Sequence, residues 1–208
     1  MDAPSENRRP IAARSSGWAR RTAAALARFG VSPNQVSTAS AAFALVGAAA
    51  LFFWPAAWGL LVCALCVQLR LVCNLIDGMI AVEGGRKTPL GPLYNEFPDR
   101  IADSLFIVAL GYAAGLPAWG WFGALAAALT AYVRVFGGAL GLKQDFRGPM
   151  AKQHRMAVLT LACVAGALEN WALGSRYALA AASLVIALGS VFTIGTRTLA
   201  IARELRAR

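Results

Sequence analysis

Between positions 33 and 200 the chain alternates long apolar runs with short polar breaks. Six runs stand out, at about 33–54, 57–82, 89–115, 118–142, 152–174 and 177–200. Each approaches the ~20 residues a helix needs to cross the hydrocarbon core of a bilayer. Ser32-Pro33-Asn34 opens the first run and sets Pro33 at the first helical position, where its missing N–H costs nothing. Upstream, residues 15–30 mix Trp18, Leu26 and Phe29 with Arg20, Arg21 and Arg28. That mixture predicts a basic amphipathic helix lying on a membrane surface. The pattern as a whole predicts an all-α, polytopic membrane protein. A basic N-terminal segment with an amphipathic juxtamembrane helix spans 1–30, and a domain of six transmembrane helices spans 31–208.

Composition changes the picture only by excluding alternatives. The chain is 58% hydrophobic and 14% charged, with a mean hydropathy of +0.57. Soluble domains carry roughly 45–50% apolar and about 25% charged residues, so this excess has no place on a water-facing surface. The net charge of +10 is distributed unevenly among the breaks. Trp54-Pro55-Ala56-Ala57 and Leu116-Pro117-Ala118 carry no charge, and the third link on that side carries only Glu169 and Arg176. The opposite side carries Arg86 and Lys87, then Lys143, Arg147, Lys152 and Arg155, then Arg203, Arg206 and Arg208. By the positive-inside rule both termini and the basic loops face the cytoplasm. The bases therefore meet anionic headgroups, and no nucleic-acid partner is expected. The first 30 residues lack an apolar h-region, which predicts no cleaved signal peptide. Trp54, Trp58, Trp119, Trp121 and Trp171 fall near the uncharged links, as an interfacial belt does. Cys63 and Cys66 have CxxC spacing without a second ligand pair and read as small buried hydrophobes.

The polar residues inside the runs carry the chemistry. Asn74 and Asp77 are three apart and share a face of the second run; Asn95, Asp99 and Asp103 recur every four and line the third. Gly84-Gly85 makes the turn between them, and Arg86-Lys87 anchors it at the headgroups. Oxygen groups on two antiparallel helices can converge on one point and suit a hard cation. A plainer role is also open: pairing with Arg70, Arg100 and Arg134 to join the helices. Intramembrane ionisable groups favour function. The arrangement predicts a polar chamber at the cytoplasmic end of the bundle.

These residues resemble the signature of the CDP-alcohol phosphotransferases (CDP-alcohol phosphatidyltransferases), D-x2-D-G-x2-A-R-x8-G-x3-D-x3-D, with Asn74, Asp77, Asn95 and Asp99 at the acidic positions and Gly78, Ala81 and Gly91 matching. Ser32-Pro33-Asn34, Asp99-Arg100-Ile101-Ala102-Asp103, Tyr132-Val133-Arg134 and Gly148-Pro149-Met150-Ala151-Lys152 with Arg155-Met156 resemble further family elements. The likeness covers roughly residues 30–160. Two departures stand out. The first and third acidic positions are asparagine, and the motif arginine is Val82.

The resemblance implies transfer of a substituted phosphate, phosphatidyl from CDP-diacylglycerol or a group from another CDP-alcohol, to the hydroxyl of a small alcohol or phosphorylated acceptor, with release of CMP. It implies Mg²⁺ or Mn²⁺, one or two ions, on Asn74, Asp77, Asn95 and Asp99. Asparagine keeps an oxygen donor but not its charge, so either one ion is held, or two are held weakly until the diphosphate of the nucleotide arrives, or Glu83, Glu96 or Asp103 supplies the missing charge. Asp99, or else Asp103, would be the catalytic base. Asp77, Gly78, Ala81 and Gly91 would meet the nucleotide, and Arg134, Lys152 and Arg155 the acceptor. The small-residue runs Gly47-Ala48-Ala49-Ala50 and Gly137-Gly138 would serve a homodimer or the monomer's own packing. The implied location is a bacterial inner membrane, multi-pass, with the active site facing the cytoplasm. The alternative is a family member that binds a CDP-lipid or headgroup without turnover, for which Asn74, Asn95 and Val82 speak.

Overall fold

The fold follows from where the apolar runs stop. The computed structural model describes residues 16–82 and 89–208, except the side chains of Pro92 and Asn95. Seven helices form among them: α1 Gly17–Arg28, α2 Pro33–Phe53, α3 Ala57–Val82, α4 Gly91–Ala113, α5 Pro117–Ala139, α6 Lys152–Leu173 and α7 Tyr177–Arg206. The expected turn at Gly84-Gly85, with Glu83, Arg86 and Lys87, lies outside the described residues, as does the chain before Ser16.

Local chemistry sets the helix ends. The Ser32 hydroxyl accepts from the Gln35 N–H at 3.2 Å, and the Gln35 side chain accepts from the Ser32 N–H at 2.8 Å. This reciprocal cap, with Pro33 behind it, starts α2 where the sequence predicts. Helix α6 ends on Gly174, whose φ of 66° is the left-handed stop that glycine adopts without strain. Helix α7 runs to Arg206, beyond the expected 200, because nothing in Ala200–Arg206 breaks a helix and its last turn carries Arg203 and Arg206 at the negative dipole end.

A helix forms at the basic N-terminal segment. Helix α1 buries Ala19 and Ala23 against Leu75, Ile76, Met79 and Ile80 near the end of α3, while Trp18 and Phe29 stay exposed. The other six helices pack as α2 on α3 and α4, α3 on α6, α4 on α5, α5 on α7 and α6 on α7. Their shared core is rich in alanine around Leu51, Leu60, Phe106, Leu110, Leu159 and Leu179. Small residues bring backbones close: a Cβ added to Gly111 would sit 2.5 Å from the Cα of Gly120, so α4 and α5 touch there. The outward faces carry large apolar side chains such as Leu65, Phe53, Leu161 and Phe192, as a lipid-facing surface requires.

Among the described residues five helices, α2, α3, α5, α6 and α7, are long and apolar enough to cross a membrane. Helix α4 is as long as α5 but carries Glu96, Asp99, Arg100 and Asp103 in its first half. That charge, rather than its length, sets it apart from the other runs.

Candidate active site

Three helices contribute one polar stripe each. On α3, Arg70, Asn74 and Asp77 recur at i, i+4 and i+7 and so share a face. On α4, Asp99 and Asp103 do the same, and on α6 the first turn presents Lys152, Arg155 and Met156. Packing α3 against α6, with α4 beside them, brings the stripes together. Helix α2 adds Ser37 and Ser40, both buried.

At the centre lies Arg70, fully buried. Its Nη2 donates to Asp99 Oδ1 at 3.0 Å, to the Asp99 carbonyl at 3.2 Å and to Asp103 Oδ1 at 2.9 Å. Its Nη1 reaches Met156 Sδ at 3.3 Å. Asp103 completes a buried triad, because its Oδ2 accepts from Arg155 Nη2 at 2.9 Å. Arg155 also donates to the Met150 carbonyl at 2.7 Å and to Thr130 Oγ1 at 3.3 Å. Charges removed from water to this degree persist only when paired and hydrogen-bonded in this way.

Asp99 is the junction. Besides Arg70, its Oδ1 accepts from Asn74 Nδ2 at 3.0 Å, and its Oδ2 pairs with the Lys152 ammonium. Arg100 stands 3.8 Å from the same Oδ2. Arg100 and Arg134 both reach Glu96, at 3.6 and 2.6 Å, and Arg134 also donates to Gln144 at 3.1 Å and lies 5.2 Å over the Phe146 ring. The α5–α6 loop that delivers Lys152 is fixed against α7. Gly148, at φ 118°, passes so close to Thr193 that a Cβ there would lie 2.4 Å from its methyl, and the Met150 N–H donates to Thr193 Oγ1 at 2.9 Å.

Asp77 differs from the other acids. It is 3% exposed, accepts from the Ser37 hydroxyl at 2.6 Å, and forms no ion pair among the described residues. Its Oδ1 makes no hydrogen bond among them. A buried carboxylate with a free oxygen and no counter-charge is the donor a hard cation would complete. Among the described residues no group of three or more His, Cys, Asp or Glu forms a ready metal cage.

The fold therefore unites Asn74, Asp99, Asp103, Lys152 and Arg155 in one network, with Asp77 a turn of α3 beyond Asn74. Gly78 and Ala81 follow on α3, both half-buried, and Gly91 opens α4. Asn95 stands on the first turns of α4, but its side chain lies outside the described residues. Two expectations meet a different geometry. Arg155, expected at the acceptor, is 1% exposed and points its guanidinium inward to protein groups. Asp103, expected as the other base, is 2% exposed with both oxygens held by buried arginines, whereas the Asp99 side chain is 13% exposed. Sequence reasoning did not assign Ser37 or Ser40, and offered Arg70 only as a partner of the acids that joins the helices. The signal was present: serines three apart on the entry helix, and an arginine one turn before Asn74.

An apolar groove of about 570 Å³ runs between α2 and α4. Leu45, Phe52, Ile101, Leu105 and Trp121 line it, and Arg100 closes the end nearest the start of α4. Arg100 thus touches both the groove and the Asp99 carboxylate.

No family model matches the chain. Curated relatives do. The chain is 34% identical over 186 residues to the archaetidylinositol phosphate synthase of Aeropyrum pernix, covering 87% of this chain and 88% of the relative. It is 30% identical over 193 residues to the phosphatidylinositol phosphate synthase of Streptomyces avermitilis, covering 88% and 77%. The crystal structure of Mycobacterium tuberculosis phosphatidylinositol phosphate synthase with CDP-DAG bound shares the fold, at a TM-score of 0.75 and 21% identity over 89% of this chain and 94% of that one. The same enzyme in complex with manganese and citrate gives a TM-score of 0.74 at 20% identity, over 88% of each chain. With relatives of this identity matched over most of their length and a stripe of polar helices in the matching fold, the chain belongs to the CDP-alcohol phosphatidyltransferase family and is a membrane transferase of phospholipid biosynthesis.

Proposed function

We propose that this transferase moves a phosphatidyl group from CDP-diacylglycerol to a hydroxyl of a phosphorylated polyol, an inositol phosphate being the acceptor that its relatives' names favour. The observation that carries this reading is Asp99: a carboxylate, 13% exposed at its side chain, standing where α3, α4 and α6 meet with Lys152 beside it. The acceptor hydroxyl oxygen attacks the phosphorus that bears the diacylglycerol. The bond from that phosphorus to the bridging oxygen breaks, CMP leaves with that oxygen, and Asp99 takes the hydroxyl proton. Lys152 shares Asp99 Oδ2, so an acceptor phosphate drawn to its ammonium arrives with its hydroxyl near the base. Arg134, tied to Glu96 and Gln144, edges the same opening. Arg70, Asp103 and Arg155 hold the base in place rather than meeting substrate.

Asp77 would hold a divalent ion, Mg²⁺ or Mn²⁺, and the motif resemblance adds Asn95 to the same ion. When bound, that ion would offset charge on the diphosphate and the departing CMP. Gly78 and Gly91, lacking side chains, would let the nucleotide approach the backbone.

The topology we propose has six spans, with α4 as the sixth. The ion pairs of its first half neutralise the charges that set it apart from the other runs. Both termini and the site then face the cytoplasm of a bacterial inner membrane, and the groove beside α4 opens to lipid. That groove would receive the donor's acyl chains, with Arg100 leading toward Asp99. Ala49→Trp, which fills the groove from a half-buried position, is expected to raise the KM for CDP-diacylglycerol about tenfold. The KM for a water-soluble short-chain donor stays unchanged. Equal effects on both donors would remove the groove from donor binding.

The test is CMP release by the protein purified in detergent, with CDP-diacylglycerol, Mg²⁺ or Mn²⁺, and a panel of alcohols and phosphate esters. Release that depends on one phosphorylated acceptor establishes the transferase and its product. Retained CDP-diacylglycerol binding with no release from any acceptor would favour a member that binds without turnover.

A further inference from the structure

Asn74 stands at the first acidic position of the motif, where a metal ligand is expected, but its amide is already engaged. Its Oδ1 accepts from the Ser40 hydroxyl at 2.7 Å, and its Nδ2 donates to Asp99 Oδ1 at 3.0 Å. Chemistry fixes that orientation. Turning the amide over would set its oxygen against the Asp99 carboxylate, acceptor facing acceptor. An amide nitrogen has no lone pair to offer a metal, and the amide oxygen is directed to α2. Ser40 is itself buried, and the relay Ser40–Asn74–Asp99 runs across three helices from that buried hydroxyl to the partly exposed Asp99 carboxylate.

The electrostatics point the same way. Asp99 is surrounded by Arg70, Lys152 and Arg100, besides the Asn74 N–H. Asp99 and Asp103 are matched by Arg70, Lys152, Arg155 and Arg100, so these two carboxylates have no surplus negative charge left for an ion. Four carboxylates at the motif positions would offset two divalent ions. Here two of them are asparagines, and Asp99 is committed to fixed cations. Of Asp77, Asp99 and Asp103, only Asp77 keeps a buried oxygen without a hydrogen-bond partner among the described residues.

We infer that Asn74 is a positioning residue, locked by Ser40, that orients Asp99, and that the chain holds a single divalent ion centred on Asp77 in place of a pair. This rests on the reading of Asp99 as the base and adds to it the number of ions and the part Asn74 plays.

The experiment is a Mn²⁺ titration of the full-length protein in detergent, alone and with CDP, reading free Mn²⁺ by its paramagnetic resonance signal. Size-exclusion chromatography of each variant reports its folded state. One ion per chain is expected in the wild type. Asn74→Ala keeps that count with an affinity within about threefold, whereas Asp77→Asn weakens it by about tenfold or more. Two ions per chain, no ion at all, or a tenfold weakening in Asn74→Ala would overturn the inference. Turnover gives the second readout. Asn74→Ala and Ser40→Ala are expected to lower kcat about tenfold or more while the KM for CDP-diacylglycerol stays within about twofold. A loss carried by KM would overturn the positioning role. The ion count is read without turnover, so a wild type that releases no CMP would sink the transferase reading separately from this one.

Discussion

Asp99→Asn lowers CMP release by about 10²–10⁴-fold, the range that a positioned general base contributes, while the protein still folds and inserts. The substitution keeps the shape of the side chain and removes its charge and basicity. Folding survives because Arg70 retains Asp103 as a buried partner at 2.9 Å, and because Asp99 is partly open to solvent at the end of the network. The cost is local: an amide nitrogen now faces the donors Arg70 and Asn74 or the Lys152 ammonium, donor against donor. The check is single-turnover CMP release beside CDP-diacylglycerol binding. Release at the wild-type rate would remove Asp99 from proton transfer and leave it a structural ion pair.

Asp103→Leu has the largest expected effect on stability, a loss of about 3–5 kcal/mol, because it strands the buried Arg155 and leaves the buried Arg70 with Asp99 alone. Arg70 and Arg155 are 0% and 1% exposed, and Asp103 is the carboxylate that joins them. Arg70 keeps Asp99, but Arg155 keeps only the Met150 carbonyl and Thr130, neither of which carries charge. The double variant Asp103→Leu with Arg155→Met should recover part of the loss, since removing both members of a buried pair costs less than removing one. Thermal unfolding in detergent compares the three proteins. Wild-type stability in Asp103→Leu together with lost turnover would move Asp103 from holding the site to acting in the chemistry.

These two variants separate roles that look alike in the chain. Asp99 and Asp103 stand one helical turn apart on the same face of α4, and each matched the pattern of a candidate base. Their difference comes from neighbours on other helices. Arg155 closes Asp103 from α6, while Asp99 meets Lys152 at the edge of the network.

Much of the architecture was legible without coordinates. The apolar runs gave helix ends within a few residues, since a bilayer-length helix needs continuous apolar sequence and Pro33, Pro117 and Gly174 punctuate it visibly. That α1 is a helix was legible from the arginines set among Trp18, Leu26 and Phe29. The motif spacing placed Asn74, Asp77 and Asp99 on facing stripes, because helical periodicity determines which residues share a side.

Periodicity says which face a residue occupies and is silent on what meets it. The third run reads as a span like the others, yet α4 is set apart by charges whose neutralisation depends on Arg70 and Arg134 arriving from α3 and α5. Arg155 was expected to meet an acceptor from its place at a helix start; its bonds to Asp103 on α4 and Thr130 on α5 turn it inward. Asn74 was expected to hold a metal from its place in the motif, and only Ser40 on α2 and Asp99 on α4 decide which end of its amide faces the site. By itself, then, the sequence determined the helices, their membrane character and the family. The tertiary structure alone decided which buried charges are already paired and which carboxylate still lacks a partner. Pairing is settled by distances of about 3 Å between side chains from different helices, which no one-dimensional pattern encodes.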